Sequence, residues 1–129
     1  MNTKEIMSSQ VAEEEVSNWA NSIDNPDFVP SQKLISAVCR GRISFDEAST
    51  TFTVKLLKPI ELENGKTIDE LRISEPRSEQ VREAARGKGG DIELTLKLLS
   101  SITGQPLGII DRLVLRDLGL AGEIFNFFV

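Results

Sequence analysis

The residues able to do chemistry are few, and their types exclude most mechanisms. The 129-residue chain has no histidine and a single cysteine, Cys39. That removes the commonest general base and metal ligand, and every Ser-His or Cys-His nucleophile system. It also removes an internal disulfide and a cysteine-built zinc site. What remains for catalysis is paired carboxylates, an activated lysine or a phosphate loop. Acidic sets such as Glu61/Glu63, Asp69/Glu70 and Glu13 to Glu15 are the carboxylate candidates. Each falls in a segment that reads as a hairpin or an exposed helix, where a solvated charged face is the usual meaning. No loop alternates Asp and Asn as calcium or magnesium would need.

The stretch "ARGKGGD" (Ala85 to Asp91) places Lys88 among glycines before a helix start. A phosphate loop requires Gly-Lys-Ser/Thr entered from a strand. Here Gly89 follows the lysine, the preceding element reads as a helix, and Asp91 would repel phosphate. It reads as a helix-helix connection. Arg40, Arg42, Arg72, Arg77, Arg82 and Arg86 form a mild basic excess without interleaved aromatics for base stacking. With a net charge of −5, the chain is not expected to bind nucleic acid or anionic lipid. No enzyme, metal or cofactor is expected. The start lacks the apolar core of a secretory signal, and no apolar run is long enough to span a membrane. A lone cysteine and no leader point to the cytoplasm.

The elements that would carry these residues give an α+β chain, mainly helical, with one β-hairpin. A helix is expected over residues 3 to 23, with Met7, Val11, Val16, Trp19 and Ile23 on its apolar face. "DNPDFVPS" breaks it. Ser31 caps a second helix to Arg40, with Leu34, Ile35 and Val38 inward and Cys39 a small buried neighbour. "SFDE" (Ser44 to Glu47) fits a capping box and predicts a short third helical turn. At Thr51 the pattern changes to alternation: Phe52, Val54 and Leu56 against Thr53 and Lys55. Lys58-Pro59 interrupts that strand, Asn64-Gly65 turns it, and Thr67 to Ile73 return. Ile68, Leu71 and Ile73 break strict alternation, so a bulge is expected near Asp69-Glu70.

Four short helices are expected after Pro76. Ser78 caps one carrying Val81, Ala84 and Ala85. Asp91 caps the next, which Gly104 ends. Pro106 opens a third. Asp117 caps the last, "LGLAGEIFNFFV". That helix is apolar on two faces: Leu118, Ala121, Phe125 and Phe128 on one, Leu120, Ile124 and Phe127 on the other. A small domain buries one face easily, so the second suggests a docking surface for self-association or a partner helix. The candidate partner-binding set is Leu118, Leu120, Ile124, Phe125, Phe127 and Phe128.

The order of these pieces carries a resemblance. "LLKPI" (Leu56 to Ile60), Asn64-Gly65, "LRISEP" (Leu71 to Pro76), Ile102-Thr103-Gly104, "IDRLVLRD" (Ile110 to Asp117) and "IFNFF" (Ile124 to Phe128) stand in the chain in that order. Together they resemble the E-type tail assembly chaperones of contractile-tailed phages and their prophages. The resemblance covers residues 52 to 128. It implies a non-catalytic cytoplasmic protein; the two-faced last helix adds the expectation of a homo-oligomer. Such a protein coats the helical tape-measure protein while tail-tube subunits polymerise around it. Residues 1 to 50 have no counterpart in that pattern and are set apart as an N-terminal helical extension, with 51 to 129 as the chaperone-like unit. The competing reading is a small regulatory or DNA-binding protein using Ser31 to Ala48 as a helix-turn-helix unit, with Arg40 and Arg42 as contacts.

Overall fold

A computed structural model describes residues 5 to 87 and 89 to 129. Its elements run α1 (Ser9–Ser22), α2 (Gln32–Cys39), β1 (Ile43–Asp46), β2 (Thr51–Glu61), β3 (Thr67–Ser74), α3 (Ser78–Ala84), α4 (Asp91–Thr103), α5 (Leu107–Ile110) and α6 (Leu115–Phe127). The fold is α+β, as the sequence implies.

Both N-terminal helices start where a serine can cap them. The Ser8 hydroxyl accepts from the Val11 N–H at 3.2 Å, and Ser31 accepts from Leu34 at 3.1 Å. Ser8 therefore sets the start of α1 later than the periodicity suggested. Ile6 and Met7 precede it and donate their N–H groups to the Cys39 carbonyl. Residues 3 and 4 of the expected helix lie outside the described residues. The buried stripe of α1 is Ala12, Val16, Trp19 and Ala20, and Val11 is exposed.

The expected helical turn at Ser44 to Glu47 is a strand instead. Ile43 and Phe45 point inward, and β1 pairs antiparallel with β2 from Ile43↔Val54 to Asp46↔Thr51. Asp46 does accept local bonds, from Ala48 N–H at 3.2 Å and Ser49 hydroxyl at 2.8 Å. They shape the β1–β2 turn rather than a helix end, since cross-strand pairing outweighs one local cap. The helix-turn-helix reading falls with this correction, because a strand stands where its second helix would be.

The sheet order is β1-β2-β3, antiparallel throughout. Phe52, Val54, Leu71 and Ile73 are buried on one face, while Lys55, Glu70 and Arg72 are exposed on the other. Helices α4 and α6 contact the sheet, and α6 also packs on α2 and α4. The hairpin irregularity falls at Asp69, as expected, but the extra residues are in β2 rather than in the return strand. Pairing passes from Lys55↔Glu70 to Ile60↔Ile68, so residues 56 to 59 face Asp69 alone. Pro59 has no N–H to give a ladder, which places the extra residues there.

Several helix starts come one to three residues earlier than expected. Arg77, Gly90 and Val114 are the N-caps of α3, α4 and α6; Ser78, Asp91 and Asp117 lie just inside. At the other end of α4, Gly104 is left-handed with φ +73°. A Cβ there would meet nothing within 4 Å. Gly104→Ala should therefore cost only the backbone strain, about 1 kcal/mol. The check is a urea midpoint that falls with an unchanged slope.

One hydrophobic core joins all of this. It takes Val16 and Trp19 from α1, Leu34 and Val38 from α2, Phe52 and Ile73 from the sheet, and Leu120, Ile124 and Phe127 from α6. Residues 1 to 50 thus supply part of the core that encloses the chaperone-like unit.

Candidate functional site

The two-faced helix α6 is the centre of the fold. Leu120, Ile124 and Phe127 are fully buried, and Leu118 nearly so. Phe125 and Phe128 are half-buried and pack against the same core. A helix apolar over most of its circumference is expected inside a protein, and here β2, α2 and α4 surround it. Four members of the candidate partner-binding set therefore serve the core of a single copy. Phe125 and Phe128 keep some surface.

The C-terminal aromatics enter a cluster that the sequence did not indicate. The Phe127 ring lies 4.9 Å from Phe52, 5.2 Å from Phe28, 5.5 Å from Phe45 and 5.3 Å from Phe128, mostly edge to face. Trp19 adds to it from α1 at 5.9 Å from Phe45 and from Phe52. Edge-to-face packing suits the ring quadrupoles. Asn25 fixes the chain end from outside, donating to the Phe127 carbonyl at 2.8 Å.

Among the described residues Asp117 is the one charged residue in the buried set, at 2% exposure. It does not cap its own helix. Its carboxylate accepts from the Leu57 N–H at 3.0 Å, the Lys58 N–H at 3.2 Å and the Arg42 guanidinium at 2.9 Å. Leu57 and Lys58 are the irregular residues of β2, so their N–H groups lack ladder partners. The third position of α6 puts a negative charge where the helix dipole favours it. Arg42 also donates to the Lys55 carbonyl at 3.2 Å and 3.3 Å. Burial pushes the Arg42 guanidinium below its ordinary value, and Asp117 opposes that shift. The arrangement is a structural clamp. It joins "LLKPI" to the Asp that ends "IDRLVLRD", two pieces of the pattern that are far apart in the chain.

An open, partly apolar groove lies at the hairpin tip. Leu62, Glu63 and Asn64 of the hairpin tip face Pro106, Gly108, Ile109 and Arg112 across a groove of about 560 Å³. Arg112 separates it from a second hollow lined by Lys58, Pro59, Ile60, Glu61 and Val114. Leu57 and Leu115 adjoin this hollow in sequence and are 40% and 72% exposed. The rim carries both signs of charge.

The remaining chemical candidates stay apart. Among the described residues no three His, Cys, Asp or Glu side chains approach closely enough to hold a metal. Cys39 is buried. The glycine loop connects α3 to α4 as expected, with Lys97 donating to the Arg86 carbonyl at 3.1 Å; Lys88 lies outside the described residues. No helix among the described residues is long and apolar enough to cross a membrane.

A sequence model of the family described as "Phage tail assembly chaperone proteins, E, or 41 or 14" matches residues 53–129. The chain belongs to this family. The match begins inside β2 and takes in the hairpin, α3 to α6 and Asp117. Arg42, the charge partner of Asp117, precedes it. The family segment in this chaperone thus borrows a buried counter-charge, and the β1 strand, from the residues before it. No curated protein and no solved structure matches the chain.

Proposed function

We propose that this tail assembly chaperone is non-catalytic and acts in the host cytoplasm. It holds helical stretches of the tape-measure protein until tail-tube subunits enclose them. The family assignment supports a protein partner in tail assembly. The observation that carries the site is the groove between the hairpin tip and α5. Half-buried Leu62 and Ile109 and exposed Leu57 and Leu115 offer apolar contacts, and Lys58, Glu63 and Arg112 offer polar rims. An amphipathic helix binds such a surface through apolar residues three and four apart. Mixed rim charge and a shallow floor suit modest affinity, as a transient coat requires. Phe125 and Phe128 are the members of the C-terminal set with surface left to extend the contact. Leu118, Leu120, Ile124 and Phe127 support it from inside.

Co-expression with the tape-measure protein tests this. The wild-type chain should keep that protein soluble and co-purify with it. Leu57→Asp combined with Leu115→Asp should abolish co-purification while shifting stability by no more than about 0.5 kcal/mol, because both side chains are exposed. Unchanged co-purification would remove Leu57 and Leu115 from the contact, and unchanged co-purification with Ile109→Asp as well would remove the groove. Loss with Phe125→Asp alone would move the contact to the end of α6.

A further inference from the structure

The sheet has an open edge whose composition selects its own occupant. β3 is the outer strand of the order β1-β2-β3. The Lys55 N–H donates to the Arg42 carbonyl at 2.8 Å, on the β1 side of β2. The backbone of Lys55 therefore faces away from β3, and its pair with Glu70 is a non-hydrogen-bonded one. It follows that the N–H and C=O of Glu70 point outward, and by alternation so do those of Arg72 and Ser74. Among the described residues no backbone group bonds to them. The side chains of Glu70 and Arg72 are exposed on the sheet face opposite Leu71 and Ile73, and neither forms an ion pair among the described residues.

Proteins blunt such edges with proline, charged side chains, bulges or a covering element. The stretch from Thr67 to Ser74 has no proline, and the charges at its outward positions, Glu70 and Arg72, are of opposite sign, so a second copy can neutralise them. We propose that β3 pairs antiparallel with β3 of a second copy, about a twofold axis at Leu71. Charge sets this register. With Leu71 opposite Leu71 of the partner subunit, Glu70 stands opposite Arg72 of the partner subunit, and Arg72 opposite the partner's Glu70. These are the residues whose backbone groups point outward, so each such pair exchanges two hydrogen bonds and aligns opposite charges. Sliding one copy by two residues places Glu70 opposite the partner's Glu70, or Arg72 opposite the partner's Arg72, and like charges repel. The result is a continuous six-stranded sheet with both copies of α4 on one face. The pairing uses neither the groove nor α6, so it stands independently of the tape-measure reading.

Sedimentation velocity over a concentration series reads the pairing. The wild-type chain should associate to a dimer. Arg72→Glu or Glu70→Arg alone turns both cross-strand pairs repulsive and should weaken association by about tenfold or more. The two reversals together restore opposite charges and should recover the dimer. Arg72→Pro should abolish it, because the lost N–H faces outward and no bond to β2 is removed. Circular dichroism of each variant should stay native. A monomeric wild-type chain, single reversals without effect, or a double reversal as weak as the singles would each overturn the proposal.

Discussion

Asp117→Ala is expected to cost about 3–5 kcal/mol, the usual penalty for removing one partner of a buried ion pair. The substitution strands three donors at once. The N–H groups of Leu57 and Lys58 and the Arg42 guanidinium all bond this carboxylate. No water-exposed route compensates them, since the Asp117 side chain is wholly buried and that of Arg42 is 13% exposed. The opposite substitution is milder. Arg42→Ala leaves Asp117 with its two backbone donors and its place at the helix N-terminus, so its cost should be clearly smaller. Asp117→Asn should fall nearer to alanine, because one of its two terminal atoms becomes a donor facing donors. Urea unfolding of the three variants checks the order. A loss under about 1 kcal/mol for Asp117→Ala, within the range of an exposed pair, would show that the clamp is not buried in solution.

Phe127→Ala should be nearly as damaging, at about 3–5 kcal/mol. Phe127 is fully buried and touches four other rings. The cavity would open between the sheet, the α1–α2 link and the end of α6, which cannot all close in together. Phe127→Leu should cost less, because most of the volume stays. Phe125→Ala, at a half-buried site outside the ring cluster, is the control and should fall well below Phe127→Ala. Equal losses at the two positions would mean that α6 is rotated from the orientation described.

These two sites also show what could be read in advance. The alternation of Phe52, Val54 and Leu56 and the Asn64-Gly65 turn placed the hairpin. Ser31 and Gly104 placed helix ends. Such signals are local: the residue that acts lies within a few positions of the structure it shapes. Asp117 reads locally as the N-cap of the last helix; the structure puts it inside the first turn, with Val114 as N-cap, and its partners are far away in the chain. Nothing local links residue 117 to the N–H groups of residues 57 and 58. The strand β1 was missed for the same reason. "SFDE" satisfies a local capping rule, and only the arrival of β2 makes Ile43 and Phe45 worth burying.

By itself the sequence determined the fold class of the protein and the residue types it has for chemistry. An absent histidine, one cysteine and a broken phosphate motif turn on residue identity, which needs no coordinates. The order of motifs carried the family for the same reason. Tertiary structure alone decided what the apolar faces of α6 do. Two apolar faces mean either a docking helix or a central one, and periodicity is identical for both. The choice depends on whether β2, α2 and α4 surround the helix, a matter of long-range contacts. They do, so the partner surfaces proposed above lie elsewhere, beside the hairpin tip and along β3, where backbone direction and exposure decide which residues a partner can reach.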